Sequence, residues 1–304
     1  MEAPILLSPG TLWPAVADRA RAALACGALQ PIATESQTID DHGTLFSVRR
    51  ISSLARKEAH RRRSAPVDAL PHNPFLPYDP DLFVAAVSAS HIALLNKFNV
   101  IDHHLLLVTR RFEPQENLLT ADDFAALAAC MGEREVLAFY NGGTAAGASQ
   151  SHKHLQLVPL PLIGGLPAVP IEPLLDAVRG ERGVCAVPGF GFGNAFTWLD
   201  PATLLGVTAA ASLGHRYRAL LDAAGLRSLP CGGQERQSAP YNLLVTRRWM
   251  LLVPRSRECF GTMSINALGY AGSLFVKDDE QFKTLRRAGP LAVLGEVAAP
   301  MIRR

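Results

Sequence analysis

Two histidines and a glutamine, His152, His154 and Gln156, alternate along the chain directly after a glycine-rich loop at residues 141–151. The sequence predicts a strand at residues 152–158, and alternate side chains of a strand point to the same face. The three polar groups therefore share one face of the predicted sheet. Glycines let backbone N–H groups approach an anion closely. An anion-binding loop followed by a histidine pair is the arrangement expected for attack on a phosphorus atom.

Three interpretations are open for the two histidines. The first treats them as packed core residues, although two imidazoles on an apolar strand are an uncommon packing device. The second treats them as metal ligands, but Gln156 is a poor zinc ligand and no carboxylate or cysteine lies nearby in the sequence. The third, which we favour, makes one histidine a nucleophile. An imidazole with a pKa of about 6.5 is largely neutral at cytosolic pH, and its free nitrogen can form a phosphoramidate that passes to a second phosphate.

The composition is typical of a soluble globular enzyme. Of the 304 residues, 48% are hydrophobic and 19% are charged, which excludes a disordered chain. A membrane-spanning helix needs about 20 consecutive apolar residues, whereas the longest uncharged stretches, such as residues 155–171, are shorter and contain prolines. Glu2 argues against a secretory signal, and the five scattered cysteines suit a reducing compartment. We predict a cytoplasmic location and no membrane contact.

The positive charge is concentrated in one segment. Residues 49–63 contain seven basic residues and one acid, a net charge of 7 − 1 = +6, although the whole chain carries only +3. The segment is interpreted as a solvated basic face, as a nucleic-acid site or as a clamp for a polyanionic small substrate. Because it contains no aromatic residue, stacking on single-stranded bases is not supported. We predict no nucleic-acid partner, and the role of the segment stays open.

Helical and strand patterns mix without a regular alternation, which predicts an α+β fold. Local patterns predict helices at residues 14–29, 121–131 (after an N-cap at Thr120), 201–224 and from 278 onward, and strands at 44–51, 91–98, 104–111, 135–140, 152–158, around 190–196 and as a hairpin at 242–253. The fifteen residues 159–173 contain five prolines and form the best linker candidate. They predict an N-terminal half at 1–165 with the histidine motif and a C-terminal half at 174–304.

The histidine segment resembles a known family. The run NGGTAAGASQSHKHLQ is similar to the signature of the ATP adenylyltransferases, also called diadenosine tetraphosphate phosphorylases, a branch of the histidine-triad superfamily in which glutamine replaces the third histidine. Five further segments are similar to blocks of this family: SSLARK (52–57), NPFLPYDPDLFV (73–84), LLNKFNV (94–100), YNLLVTRRWMLLVPRS (241–256) and NALGYAGSLFVK (266–277). One departure is Glu58, where the family pattern has proline.

The resemblance implies a fold and a reaction. The fold is a histidine-triad-like antiparallel sheet flanked by helices and extended by a C-terminal half that completes the same site. The reaction is the reversible phosphorolysis of diadenosine tetraphosphate to ATP and ADP through an adenylyl-histidine, with His154 as nucleophile, His152 as its orienting partner and Gln156 on the phosphate under attack. Implied substrate contacts lie in both halves: Lys57, Asn96, Lys97, Asn141, Gly147, Ala148, Ser149, Gln150, Asn266, Ser273 and Lys277.

Related activities remain alternatives at this point. Hexose-1-phosphate uridylyltransferases and GDP-hexose phosphorylases also carry His-x-His-x-Gln, so a sister enzyme acting on a sugar nucleotide and a catalytically silent nucleotide-binding regulator stay open. The sequence predicts small-molecule partners, no protein-held metal and no permanently bound cofactor. A divalent ion, Mg²⁺ or Mn²⁺, that arrives with the polyphosphate stays open, as does the oligomeric state.

Overall fold

The fold is α+β, as the sequence predicts. A computed structural model describes residues 3–51, 73–132, 134–165, 167–204, 206 and 208–301. The block at 52–57, with Lys57, and most of the basic segment lie outside the described residues. In the described part of the chain, no helix is both long and apolar enough to cross a membrane.

Seven α-helices lie in the described ranges. They are α1 (Leu12–Cys26), α2 (Ala121–Met131), α3 (Glu172–Leu175), α4 (Ala209–Ala223), α5 (Ala267–Tyr270), α6 (Asp279–Ala288) and α7 (Pro290–Val297). The start of α2 agrees with the sequence prediction, because Thr120 and Asp123 form a capping box that satisfies backbone N–H groups of the first turn.

The strands are mostly short and antiparallel. They are β1 (Thr34–Asp41), β2 (Thr44–Ile51), β3 (Phe83–Ala86), β4 (His91–Leu95), β5 (Leu105–Thr109), β6 (Val136–Gly142), β7 (His154–Pro159), β8 (Val184–Cys185), β9 (Ala195–Trp198), β10 (Ser228–Cys231), β11 (Gln234–Gln237), β12 (Tyr241–Val245), β13 (Trp249–Pro254), β14 (Cys259–Phe260), β15 (Met263–Ser264) and β16 (Ser273–Val276).

Nine strands form one sheet that contains both predicted halves. The order is β3-β4-β5-β7-β6-β12-β13-β9-β8, and all of its neighbouring strands are antiparallel. The hydrogen-bonded pair β6–β12 joins the halves in the middle of the sheet. A second sheet, β1-β2-β16, joins them again, because β16 pairs with β2 in parallel. Each of the two larger apolar clusters likewise contains residues of both halves.

Alternation along the strands sorts the side chains onto two faces. On β5, Leu105 and Leu107 face the apolar core that packs against α1, α2 and α4. Leu106 and Val108 face the other side, in a small apolar cluster with Phe75. A larger apolar cluster covers the same side beneath β6, β12 and β13 and packs against α5, α6 and α7. Strand β7 runs between these two clusters, so its polar side chains on this face lie in a gap between apolar regions.

Two predictions about local structure were wrong. The predicted helix at 201–224 begins only at Ala209, and Pro201–Leu204 is a separate 3₁₀ turn. Gly206 lies between them with φ +91°, a left-handed conformation that interrupts a right-handed helix. The strand pair expected around 190–196 is formed by β8 and β9 instead, and residues 188–190 between them form a 3₁₀ turn that ends at the left-handed Gly191.

Candidate active site

His154 is held with one ring nitrogen bonded and the other free. Its Nδ1–H donates to the backbone carbonyl of His152 over 2.8 Å. No hydrogen bond among the described residues engages Nε2, so this atom keeps its lone pair for a substrate. The residue is 4% exposed, and burial lowers its pKa to about 4 despite the bond to the His152 carbonyl. The ring is therefore neutral at pH 7, the state that a nucleophile requires.

The ring of His152 hydrogen-bonds to residues other than His154. Its Nε2–H donates to the carbonyls of Thr109 and Arg111 over 2.9 and 3.1 Å. Its Nδ1 accepts from Asn73 Nδ2 over 3.1 Å. The contact that orients His154, the predicted nucleophile, therefore comes from the backbone carbonyl of His152. The His152 side chain holds this backbone against the segments of Asn73 and Thr109.

Gln115 binds the backbone on both sides of the His154 Cα atom, a role that sequence reasoning missed. Its Oε1 accepts from the His154 N–H over 2.9 Å, and its Nε2 donates to the carbonyls of Asn141 and His154 over 2.9 and 3.2 Å. The β6–β7 ladder stops at the pair Phe139–Gln156, and the Gln115 amide takes the place of the next strand pair. No local signal identifies it, because 39 residues separate it from His154.

Two phenylalanines pack around the histidines and were also missed. Phe75 is 6% exposed, and its ring centroid lies 5.3 Å from that of His154 and 5.6 Å from that of His152. Phe112 lies 5.5 Å from His152 on the outer side and is 53% exposed. Phe75 thus keeps water from the predicted nucleophile, which contributes to the low pKa of that ring.

Gly147 brings the glycine-rich loop into contact with the C-terminal half. Its φ is +86°, and a Cβ atom added there would lie 2.7 Å from the Ile265 carbonyl oxygen and 2.8 Å from Asn266 Cβ. Only glycine fits both the dihedral angle and the space. Asn266 in turn caps α5, because its Oδ1 accepts from the Leu268 N–H. The structure therefore brings Gly147 and Asn266, both predicted substrate contacts, side by side.

Asn141 lies in a buried polar network rather than at an open surface. It is 1% exposed, and its Oδ1 accepts from Asn242 Nδ2 over 2.8 Å and from the Ala267 N–H over 2.9 Å. Arg255 completes the network by donating to Asn242 Oδ1 over 2.6 Å and to the Ala146 carbonyl over 3.3 Å. These bonds join β6, the glycine-rich loop and the start of α5, so the Asn141 oxygen serves to assemble the site.

A cavity of about 340 Å³ opens beside His152. Ala148, Ser149 and Gln150, three of the predicted substrate contacts, line it. Asn73 and Gln115 line its other side. The volume lies within the range of small-molecule sites.

The other predicted contacts occupy different surroundings. Lys97 lies in the turn after β4, with Nζ 4.0 Å from Asp79 Oδ2 and 41% of its side chain exposed. Ser273 is fully buried on β16, and its Oγ finds no partner among the described residues. Lys277 is exposed just beyond that strand. The structure thus places the glycine-rich loop beside His152 and in contact with Asn266, and it shows no hydrogen bond from Ser273 or Lys277 to the histidines within the described ranges.

Lys153 points to the opposite face of the sheet from the histidines. It is 1% exposed, and its Nζ lies 2.6 Å from Asp123 Oδ2 and 3.1 Å from Glu113 Oε2. His91 Nε2 lies 3.0 Å from the other Asp123 oxygen. Burial alone would raise the pKa of Asp123, but the charge of Lys153 and the bond to His91 hold it well below its usual range. This buried cluster ties the histidine segment to α2.

Metal-binding side chains do not cluster in the described part of the chain. No group of three or more histidine, cysteine, aspartate or glutamate side chains there could hold an ion. His91 and Asp123 lie together, but Lys153 occupies the adjacent position with its own positive charge.

The fold and the site together define a class of protein, the histidine-triad-like nucleotidyltransferases. The structure aligns with the crystal structure of yeast Ap4A phosphorylase Apa2 at a TM-score of 0.78 and 24% identity, covering 98% of this chain and 97% of that one. The crystal structure of the same yeast protein in complex with Ap4A aligns at a TM-score of 0.76 and 25% identity, covering 98% and 100%. The histidine-triad-like antiparallel sheet predicted from the sequence is confirmed.

Sequence comparison gives the family. Residues 2–177 match the model of the Ap4A phosphorylase N-terminal domain, and residues 189–300 match that of the ATP adenylyltransferase C-terminal domain. Diadenosine 5',5'''-P1,P4-tetraphosphate phosphorylase 2 of Saccharomyces cerevisiae is 30% identical over 301 residues, 88% of each chain. Protein APA1 of the same yeast is 29% identical over 304 residues, 91% of this chain and 90% of that one. The chain belongs to the Ap4A phosphorylase / ATP adenylyltransferase family, and the predicted enzyme class, a nucleotidyltransferase, is confirmed.

Proposed function

We propose that this protein cleaves diadenosine tetraphosphate by phosphorolysis, giving ATP and ADP. The observation that supports this most directly is the state of His154, a neutral imidazole whose Nδ1–H is fixed on a backbone carbonyl and whose Nε2 has no partner among the described residues. A yeast relative carries the name of this activity, and a solved structure of similar fold is a complex with Ap4A. We place part of the polyphosphate in the cavity that His152 and the glycine-rich loop line.

The proposed reaction has two displacements at one phosphorus atom. In the first, the Nε2 lone pair of His154 forms a bond to an α-phosphorus, the bridging P–O bond breaks, and ATP leaves with the electron pair. In the second, an oxygen of inorganic phosphate attacks the same phosphorus, the P–N bond breaks, and ADP is released. The proton lost as phosphate becomes part of a diphosphate passes to solvent. The histidine returns to its neutral state, ready for the next substrate.

Glutamine at position 156 suits this chemistry. ATP leaves readily as an anion, so the first step needs no strong general acid. Gln156 cannot titrate, but its NH₂ group can donate to the phosphoryl oxygen on which charge develops. A third histidine could instead protonate a poorer leaving group or activate water. Glutamine does neither, so it does not promote hydrolysis in place of phosphorolysis.

The polyphosphate chain needs positive charge, for which Lys97, exposed in the turn after β4, is one candidate source. Lys57, outside the described residues, stays a predicted contact, as do Ser273 and Lys277. We propose that a divalent ion enters with the polyphosphate, bound by its oxygens, and that the enzyme holds no permanent cofactor. We further propose that it acts in the cytoplasm on small-molecule nucleotides, without nucleic acid or membrane as partner.

Intact-mass measurement in the absence of phosphate tests the proposal. Protein mixed with diadenosine tetraphosphate should gain one adenylyl group, and peptide mapping should place it on His154. Adding labelled phosphate should then release labelled ADP and restore the original mass. The variant His154→Asn should still bind the nucleotide but lose more than about a hundredfold in rate, which corresponds to about 2.7 kcal/mol of barrier.

The same experiment separates the alternatives. An adduct formed only from a sugar nucleotide would favour the sister phosphorylases or uridylyltransferases. Tight binding of diadenosine tetraphosphate with neither adduct nor ADP would favour a silent regulator. Either result would contradict the proposal. Repeating the assay after removal of divalent ions and on adding back Mg²⁺ or Mn²⁺ tests the proposed route of the metal.

A further inference from the structure

His104 lies beside Gln156 on the face of the sheet that carries His154. Leu106 pairs with Gln156 across β5 and β7, and His104 lies two residues earlier on the same face. It is 5% exposed, and its backbone carbonyl closes the β4–β5 hairpin by accepting from the Asn96 N–H over 2.9 Å. Both nitrogens of its ring are hydrogen-bonded, one towards Asn96 and one towards Gln156.

The hydrogen bonds around His104 run in one direction only. The Phe98 backbone N–H can only donate, and it donates to Asn96 Oδ1 over 3.3 Å. The Asn96 amide therefore turns its Nδ2–H towards His104 Nδ1, 3.3 Å away, which must accept. The ring proton then lies on Nε2, which donates to Gln156 Oε1 over 2.9 Å. The oxygen of the Gln156 carboxamide is thereby occupied, and its NH₂ group is the part left for a substrate.

We infer that His104 is a positioning residue of the proposed reaction, because it fixes the Gln156 carboxamide with its NH₂ group available to the phosphoryl oxygen beside His154. A free carboxamide can turn over and present its oxygen instead, which would repel the phosphoryl oxygens. The effect of this arrangement on the reaction rests on the proposed function. The fixed direction of the hydrogen bonds is a property of the protein alone.

Burial keeps the His104 ring in its neutral form at pH 7. It lowers the pKa of His104 to about 4, although the bond to Gln156 acts in the opposite direction and the nearby His154 adds to the lowering. At neutral pH the ring therefore carries one proton, and the acceptor role of Nδ1 assigns that proton to Nε2. The Asn96 amide, predicted as a substrate contact, is used at both ends to set this tautomer.

A double-mutant cycle tests the inference on the rate of adduct formation from diadenosine tetraphosphate. His104→Phe, which retains a ring but removes the donor, should lower that rate between about tenfold and a hundredfold. His104→Gln keeps a donor near the position of Nε2 and should stay within a few-fold of the wild type. In the Gln156→Ala background, His104→Phe should change the rate by less than about threefold, since nothing remains to be positioned. Equal factors in both backgrounds would show a merely structural role and overturn the inference.

NMR of the wild-type protein gives an independent readout. Long-range ¹H–¹⁵N correlations of the histidine rings should show His104 as the Nε2–H tautomer at pH 7. The Nδ1–H tautomer, or a doubly protonated ring, would overturn the inference even if the enzyme is active. Conversely, wild-type protein that shows the Nε2–H tautomer but forms no adduct would contradict the proposed function and leave the hydrogen-bond direction intact.

Discussion

Acidification from pH 7 to pH 5 should leave the first chemical step almost unchanged. Burial lowers the pKa of His154 to about 4, the hydrogen bond to the His152 carbonyl opposes this, and the nearby His152 ring adds to it. An imidazole of ordinary pKa, about 6.5, is only about 3% neutral at pH 5, whereas one with a pKa of about 4 is about 90% neutral. A nucleophile with the ordinary pKa would therefore lose about 25-fold in rate over this range. The buried one should lose less than about twofold.

The assay is single-turnover formation of ATP from diadenosine tetraphosphate, without phosphate and below saturation, between pH 4 and pH 8. Each phosphate of this substrate is bonded to two neighbours, so it lacks the second ionisation that gives a phosphomonoester a pKa of about 6. The substrate charge therefore stays constant where an ordinary histidine would titrate. A rate that falls tenfold for each pH unit below about 6.5 would refute the reasoning, because it would show that His154 is protonated like an exposed imidazole.

Phe75→Ala and Phe112→Ala form a matched pair of variants that tests whether burial causes the low pKa of His154. Phe75 is buried against His154, so Phe75→Ala should admit water, raise the pKa of that ring and move the acid limb of the rate profile upward. Phe112 is half exposed and contacts only His152 of the two rings, so Phe112→Ala should leave the limb in place. Equal shifts in both variants would contradict local desolvation as the cause.

Three further predictions concern the residues that assemble the site. Gly147→Ala should raise KM for the nucleotide at least tenfold, because the added Cβ would collide with Ile265 and Asn266. The control Gly164→Ala, whose Cβ would lie in open space, should leave the steady-state kinetics unchanged. Gln115→Leu should lower the free energy of unfolding, measured in urea, by about 2–5 kcal/mol, because the buried N–H and carbonyl of His154 lose their partners. A loss below about 0.5 kcal/mol would contradict the role given to Gln115. Lys153→Met should cost about 3–5 kcal/mol by removing the positive charge that Asp123 pairs with in the core. Arg21→Ala, which breaks an exposed ion pair, should cost less than about 1 kcal/mol. Equal losses in those two variants would refute the buried-charge argument.

Local patterns predicted the parts of the site that lie within one segment. Alternation placed His154 and Gln156 on one face and Lys153 on the other, and the structure confirms this. The N-cap at Thr120 was visible because its partner is only three residues away. The glycine-rich loop likewise carries its own signal, since a left-handed backbone at Gly147 needs glycine whatever surrounds it.

Residue pairs that come together only through the order of the strands could not be predicted from the sequence. Strand β7 inserts between β5 and β6, which are earlier and consecutive in the chain, and this insertion places His104 beside Gln156. Fifty-two residues separate these two side chains, and 79 separate Asn73 from His152. A buried histidine such as His104 carries no local mark in the sequence of what it contacts.

The two faces of the histidine segment have complementary tasks. A strand that carries a nucleophile must not slip, because a shift of one residue exchanges its faces. Here such a shift would expose the Lys153 ion pair to the substrate side and bury the histidines in the apolar core beneath α2. Removing a paired charge from its partner inside a protein costs several kcal/mol, so the bond to Asp123 selects one register strongly. Gln115 then fixes the backbone on either side of His154, and the His152 carbonyl fixes the ring. The buried charge cluster thus helps to place Nε2 at a defined position, although it lies on the opposite face of the sheet.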